Sequence, residues 1–313
     1  MTTKGMQPSE SDLAFWRQQS AISAPGKYAS LFDDLPSDLG DLCRVIQGLI
    51  IHQFWIIEEN DYGITAADLQ AAGRKPNDEI NLRSVEEMLG FILELDGQPL
   101  TVPRPVDRRV VGNCRHYALM LASMLRQRGI PARVRSGVGR YFYPDGETLE
   151  DHFITEFWNE ADRRWQRVDP QIDGVQRKAL QLTMDTTDLP PNQFLDSAES
   201  YVELQSGRVK RDKIGIFDFK GWPYVRYKLV SDLACLCSVE LLPWEGWGIC
   251  LRIGEDRLSE ADEALLEHLA QVLAALPGDP AHLGEARALF ETHADLRVPE
   301  GYEPQRWELE PLG

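Results

Sequence analysis

Between Gly112 and Pro170 one long apolar helical pattern is followed by three short runs of strand type, and few folds accommodate that order. In "CRHYALMLASMLRQ", Cys114, Ala118, Leu121, Ala122 and Leu125 recur on one helical face, which predicts a helix laid against a sheet. The helix should end near Gly129, whose missing Cβ suits a left-handed cap, and Pro131 forbids its continuation. "ARVRSGV", "HFITEFW" and the end of "RWQRVDP" then read as strands, with polar "NEADR" as the turn between the last two. On this reading His152 opens the second strand and Asp169 closes the third, where Pro170 keeps the preceding residue extended. Both side chains then reach the helix start.

Cys114 lies where a loop turns into that helix, at the positive end of the helix dipole, a placement that favours the thiolate. An imidazole takes the thiol proton and later protonates the leaving group, and a carboxylate holds the imidazole in one tautomer. Cys114, His152 and Asp169 supply those three groups in order. The chemistry expected of them is acyl transfer through a thioester on Cys114, resolved by water or an amine. The Cys114 backbone N–H is a natural oxyanion donor, and the second donor stays open. The bland alternative is that Cys114 is a small buried hydrophobe. His116, two positions on, points to another helix face and reads as a surface or substrate contact. Glu156 shares the strand face of His152 and reads mainly as an ion-pair partner for Arg133, with assistance to catalysis as the alternative.

The pattern G-x-C, "LRQRGIPAR", H-x-x-x-E from His152 to Glu156, and W-x-x-V-D-P ending at Pro170 resembles the transglutaminase-like superfamily, a branch of the papain-like thiol enzymes. The resemblance covers roughly residues 82–175, beginning with "LRSVEEMLGFILELDG" as the helix that precedes the cysteine. It implies an α+β fold: a papain-like or transglutaminase-like core with a catalytic helix on a small antiparallel sheet, and helical N- and C-terminal additions. It further implies Cys114 as nucleophile, His152 as base and Asp169 as orienter. Such families include proteases, amidases, peptide N-glycanases, cross-linking transferases and biosynthetic acyltransferases, so the resemblance does not name a substrate.

The expected organisation is a helical lead-in over 1–105, a catalytic core over 106–178, an irregular cleft wall over 179–230 and a helical extension over 231–313. In the lead-in, Ser84 with Glu87 and Thr65 with Asp68 form capping boxes, and "VIQGLII" and "FWII" read as buried helix. The proline- and charge-rich "TVPRPVDRRVVG" reads as the loop entering the catalytic helix. Trp222, Tyr224, Trp244 and Trp247 read mainly as loops packed on the core, with an aromatic substrate pocket as the alternative. Toward the end Ser259 caps one helix and Asp279-Pro280 opens another, while His268, His282 and His293 read as surface.

A net charge of −17 argues against nucleic acid or anionic membrane as partner, because both need basic patches. No apolar run approaches a signal core or a membrane span, and five cysteines fit reduced thiols, so a cytoplasmic location is expected. Cys235, Cys237 and Cys250 read as buried thiols, since C-x-C in an apolar segment fits no common zinc module. No metal or other cofactor is expected. The expected partner is a peptide or small-molecule amide or thioester, and oligomeric state is left open. The reading is therefore a cysteine hydrolase or acyltransferase. The alternative of a different class is a noncatalytic module that holds a peptide or protein in the same cleft.

Overall fold

The computed structural model describes residues 7–57, 61–254, 257–276 and 281–309. Helix α1 (Glu10–Arg17) opens under a Ser9–Asp12 capping box, and α2 (Leu39–Gln47) starts from an Asp38 carboxylate that accepts the Asp41 N–H. The buried helix expected over "VIQGLII" stops at Gln47, and Ile50–His52 instead form strand β1. The cause is partly local and partly distant. Gly48 closes α2, the β-branched Ile50 and Ile51 suit a pleat, and β2 (Val110–Gly112) lies parallel alongside. His52 is thereby set opposite Gly112. "FWII" is likewise no continuous helix, since Gln53–Trp55 make one tight 3₁₀ turn.

Helices α3 (Ala66–Ala71), α4 (Pro76–Glu79) and α5 (Val85–Leu95) complete the N-terminal part. Both expected capping boxes form, at Thr65 and at Ser84. Helix α6 (Cys114–Gln127) is the centre of the molecule and is buried from Cys114 to Arg126. It is enclosed on more than the one face its periodicity suggests, because α1, α2 and α5 pack on it as well as the sheet. The chain then turns through Gly129, at φ +71°.

Strands β3 (Ala132–Gly139), β4 (Leu149–Asn159) and β5 (Arg164–Val168) form the expected antiparallel meander, with Ala132 opposite Phe157 and Thr155 opposite Val168. The Thr155 hydroxyl donates to the Ala118 carbonyl at 2.8 Å, fixing α6 to the sheet. Strand β4 begins at Leu149, so His152 lies inside it and not at its start.

After α7 (Gly174–Ala179), the stretch expected to be irregular contributes β6 (Phe194–Asp196), α8 (Ser197–Gln205), β7 (Ile214–Ile216), β8 (Phe219–Lys220) and the start of α9 (Gly221–Leu236). The sheet order is β6-β3-β4-β7-β8, with β5 also on β4. Strands of two or three residues are too short for alternation to reveal them. β6 crosses β3 closely at Gly137, where an added Cβ would collide with the Leu195 carbonyl oxygen.

Helices α10 (Ile249–Gly254), α11 (Glu260–Ala275) and α12 (Ala281–Thr292) pack with α9 around Leu229, Leu233, Trp247, Leu266 and Leu273. Ser259 caps α11 as expected, and the Asp279-Pro280 start of the next helix lies outside the described residues. The fold is α+β, a helix on a small sheet with helices added at both ends. Among the described residues no helix is long and apolar enough to cross a membrane.

Candidate active site

Asn113 starts α6: its side-chain oxygen accepts the Arg115 N–H at 3.1 Å. That puts Cys114 in the first turn, where backbone N–H groups have no intrahelical acceptor. The helix is held at both ends by one distant residue. Arg115 Nε donates to the Glu240 carbonyl at 3.0 Å, and Arg126 meets the Glu240 carboxylate at 2.8 Å. Cys114 is therefore fixed from the C-terminal half of the chain as well as by its own helix.

The structure brings His152 and Asp169 to this helix start. His152 Nε2 lies 2.9 Å from Asp169 Oδ2, and the two residues are each 1% exposed. Asp169 Oδ2 also accepts the Tyr141 hydroxyl at 2.5 Å, and Oδ1 accepts the Gln171 N–H at 2.9 Å. Burial works against a charged imidazole, but the Asp169 charge and hydrogen bond, joined by interaction with Cys114, outweigh it and lift His152 to about 10. Burial likewise opposes the Asp169 carboxylate, yet His152 and the hydrogen bonds from His152, Tyr141 and Gln171 hold it below its ordinary value. His152 and Asp169 thus form a buried, hydrogen-bonded pair through Nε2. Phe142 closes one side of the ring at 4.8 Å between centroids.

Cys114 and His152 line a cavity of about 920 Å³. Its wall is aromatic and comes from widely separated segments: Phe54 after β1, Phe142 before β4, Phe217 between β7 and β8, Trp244, and Trp307 near the C-terminus. Trp307 packs 5.5 Å from Trp244 and 6.1 Å from Phe54, and Asn81 brackets its backbone with hydrogen bonds of 2.8 and 3.1 Å. Charged groups line the same cavity, among them Glu150, Asp151, Lys213 and Lys228. Burial lifts the Glu150 carboxyl to about 7 against the hydrogen bond donated by Tyr143. A more open depression of about 840 Å³, lined by Arg44, Tyr62, Arg109 and Asp173, contains none of Cys114, His152 and Asp169.

The remaining candidates separate cleanly once the packing is known. Tyr224 and Trp244 line the cavity, whereas Trp222 packs on Tyr201 and Trp247 is buried in the C-terminal core. Glu156 is the hub of an ion-pair cluster, meeting Arg133 at 2.8 Å and Arg135 and Arg167 at 3.0 Å each, and does not line the cavity. His116 is not at the surface. It is fully buried, its Nδ1 accepts the Asn113 N–H at 3.2 Å and its Nε2 donates to the Leu82 carbonyl at 2.8 Å, so it braces the turn before Cys114. Cys235 and Cys250 are buried and Cys237 half-buried, and burial pushes the Cys237 and Cys250 thiols up to about 12.

Sequence reasoning missed Tyr141 and His52. Tyr141 carried no signal, being one aromatic in "YFY". His52 did carry one, as a polar residue interrupting "LIIHQFWII".

Residues 98–170 match the family model of the transglutaminase-like superfamily. Helix α6, strands β3–β5 and Cys114, His152 and Asp169 all lie within the matched residues. Among solved structures, a protein from Cytophaga hutchinsonii provisionally named a cysteine protease is similar at 14% identity over 64% of this chain, with a TM-score of 0.28. The match spans about half of that protein, 54% of its chain. No curated protein matches the chain.

Proposed function

We propose that the protein is a cysteine-dependent acyl-transfer enzyme acting on an amide or thioester, with Cys114 as nucleophile, His152 as general base and acid, and Asp169 as orienter. The observation that carries this reading is the arrangement at the start of α6, where Cys114 and His152 line one cavity and His152 meets Asp169 at 2.9 Å. A sulfur at a helix N-terminus beside an imidazolium is in the setting that favours the reactive thiolate. Attack forms the Sγ–C bond of a tetrahedral intermediate. Its collapse expels the leaving group, which takes the proton from His152. Water or an amine then resolves the thioester, and water is preferred because it is always at hand.

The depth of the site supports a small acyl group or a thin chain end as donor. Cys114 is 6% exposed on a cavity with an aromatic wall, a poor fit for a folded polypeptide surface. The test is labelling of Cys114 by iodoacetamide as a function of pH, and its acylation by p-nitrophenyl acetate, in wild type and His152→Ala. Fast labelling well below the range of a free thiol, together with an acetyl adduct on Cys114, both lost in the variant, is the expected result. Labelling like that of a free thiol in both proteins would overturn the reading in favour of a noncatalytic binding module.

A further inference from the structure

His52 lines the Cys114 cavity and belongs to no part of the triad. Its place is set by the β1–β2 pairing, which aligns it with Gly112, two residues before Cys114. Its Nδ1 accepts the Phe54 N–H at 3.2 Å. A ring nitrogen that accepts a hydrogen bond cannot carry the proton, so in the neutral ring the hydrogen is on Nε2. Among the described residues nothing accepts from that Nε2–H, although His52 is only 6% exposed. A donor on a cavity wall with no protein acceptor is available to an acceptor that enters the cavity.

We propose that the Nε2–H of His52 is the side-chain donor that stabilises the oxyanion formed when Cys114 attacks an acyl group, a role that rests on Cys114 being the nucleophile. In that step the Sγ–C bond forms as the carbonyl π pair moves onto oxygen. The oxyanion is held by the Cys114 backbone N–H, free in the first turn of α6, and by the His52 Nε2–H. It re-forms the carbonyl as the bond to the leaving group breaks. Burial and the neighbouring His152 lower His52 to about 3, so the ring stays neutral and donates a hydrogen bond without surrendering the proton. The two histidines are thus pushed in opposite directions, His152 held charged by Asp169 and His52 held neutral by burial.

The experiment compares two reactions at one sulfur in the full chain. Acylation by p-nitrophenyl acetate passes through an oxyanion, whereas alkylation by iodoacetamide displaces iodide at a saturated carbon and does not. In His52→Asn the side-chain oxygen still accepts the Phe54 N–H, but the amide nitrogen falls short of the Nε2 position. Its acylation should drop on the order of 100-fold, with alkylation unchanged within about twofold. In His52→Gln the amide nitrogen reaches further, and about tenfold of the loss should return. Equal loss of both reactions in His52→Asn, or loss of neither, would overturn the proposal. So would an equal acylation defect in Gln53→Leu, since the Gln53 amide lines the same cavity with its oxygen buried and unpaired. Wild-type protein that resists both reagents would instead defeat the nucleophilic role of Cys114 itself.

Discussion

Asp169→Asn keeps the shape of the site and removes its charge. In the wild-type protein Oδ2 serves both His152 Nε2 at 2.9 Å and the Tyr141 hydroxyl at 2.5 Å, while Oδ1 accepts the Gln171 N–H at 2.9 Å. An asparagine has one accepting oxygen. With that oxygen kept on Gln171, the amide NH₂ turns toward Tyr141, whose hydroxyl can rotate to accept, and toward His152, which can accept only as the neutral Nδ1–H tautomer. That tautomer offers Cys114 a proton where a lone pair is needed. Hydrogen bonds to a charged group are worth about 1.5–3 kcal/mol each, so loss of the imidazolium–carboxylate bond should lower stability by about 2 kcal/mol. A wrong tautomer costs turnover on the order of 10⁴-fold. In labelling, a thiol of ordinary pKa near 8.5 loses reactivity tenfold per pH unit, so at pH 6 it should react about 300-fold slower than at its plateau. Wild-type Cys114 should keep most of its rate over that range, and Asp169→Asn should follow the steep free-thiol line. Pseudo-first-order iodoacetamide labelling read by intact mass, beside a urea titration of each protein, measures both quantities. A folded Asp169→Asn protein that still labels rapidly near pH 6 would refute the assignment of Asp169 as orienter.

Stability should carry the same pair's signature in pH. His152 is raised, so its contribution is complete below its ordinary 6.5 and fades as pH climbs toward about 10. Asp169 is lowered, so its contribution is present above its ordinary 3.8 and fades as pH falls. The difference in urea midpoint between wild type and Asp169→Asn should therefore peak between about pH 4 and 6.5 and shrink on both sides, and a difference independent of pH would contradict the ion pair. Gly137→Ala, whose new methyl would collide with the Leu195 carbonyl, should cost about 1–3 kcal/mol by displacing β6, and an unchanged urea midpoint would contradict the close crossing. Glu156→Gln leaves three arginines around a 2% exposed site without their common carboxylate. It should cost about 3–5 kcal/mol of stability while the pH profile of Cys114 labelling in the remaining folded protein stays as in wild type.

Much of the core was legible because it is written in local periodicity. Helix α6, the turn at Gly129, the β3–β4–β5 meander and the order of Cys114, His152 and Asp169 all follow from side-chain spacing within one continuous stretch. So do the caps at Thr65, Ser84 and Ser259, which need only a neighbour three residues away.

What the sequence alone left undecided depends on contacts between residues far apart in the chain. "LIIH" reads as helix until Val110 and Val111 arrive beside it and make it a strand, and that pairing is what carries His52 to Cys114. Tyr141 becomes part of the site only because β3 and its following loop pass Asp169. His116 looks exposed on a helical wheel, and the Leu82 carbonyl buries it. The cavity wall joins Phe54 to Trp307, and Glu240 anchors both ends of α6. Local spacing fixes which face of an element is apolar. Which distant polar or aromatic group meets that face is decided by the packing of the whole chain, where each such contact must offset its own desolvation and ordering.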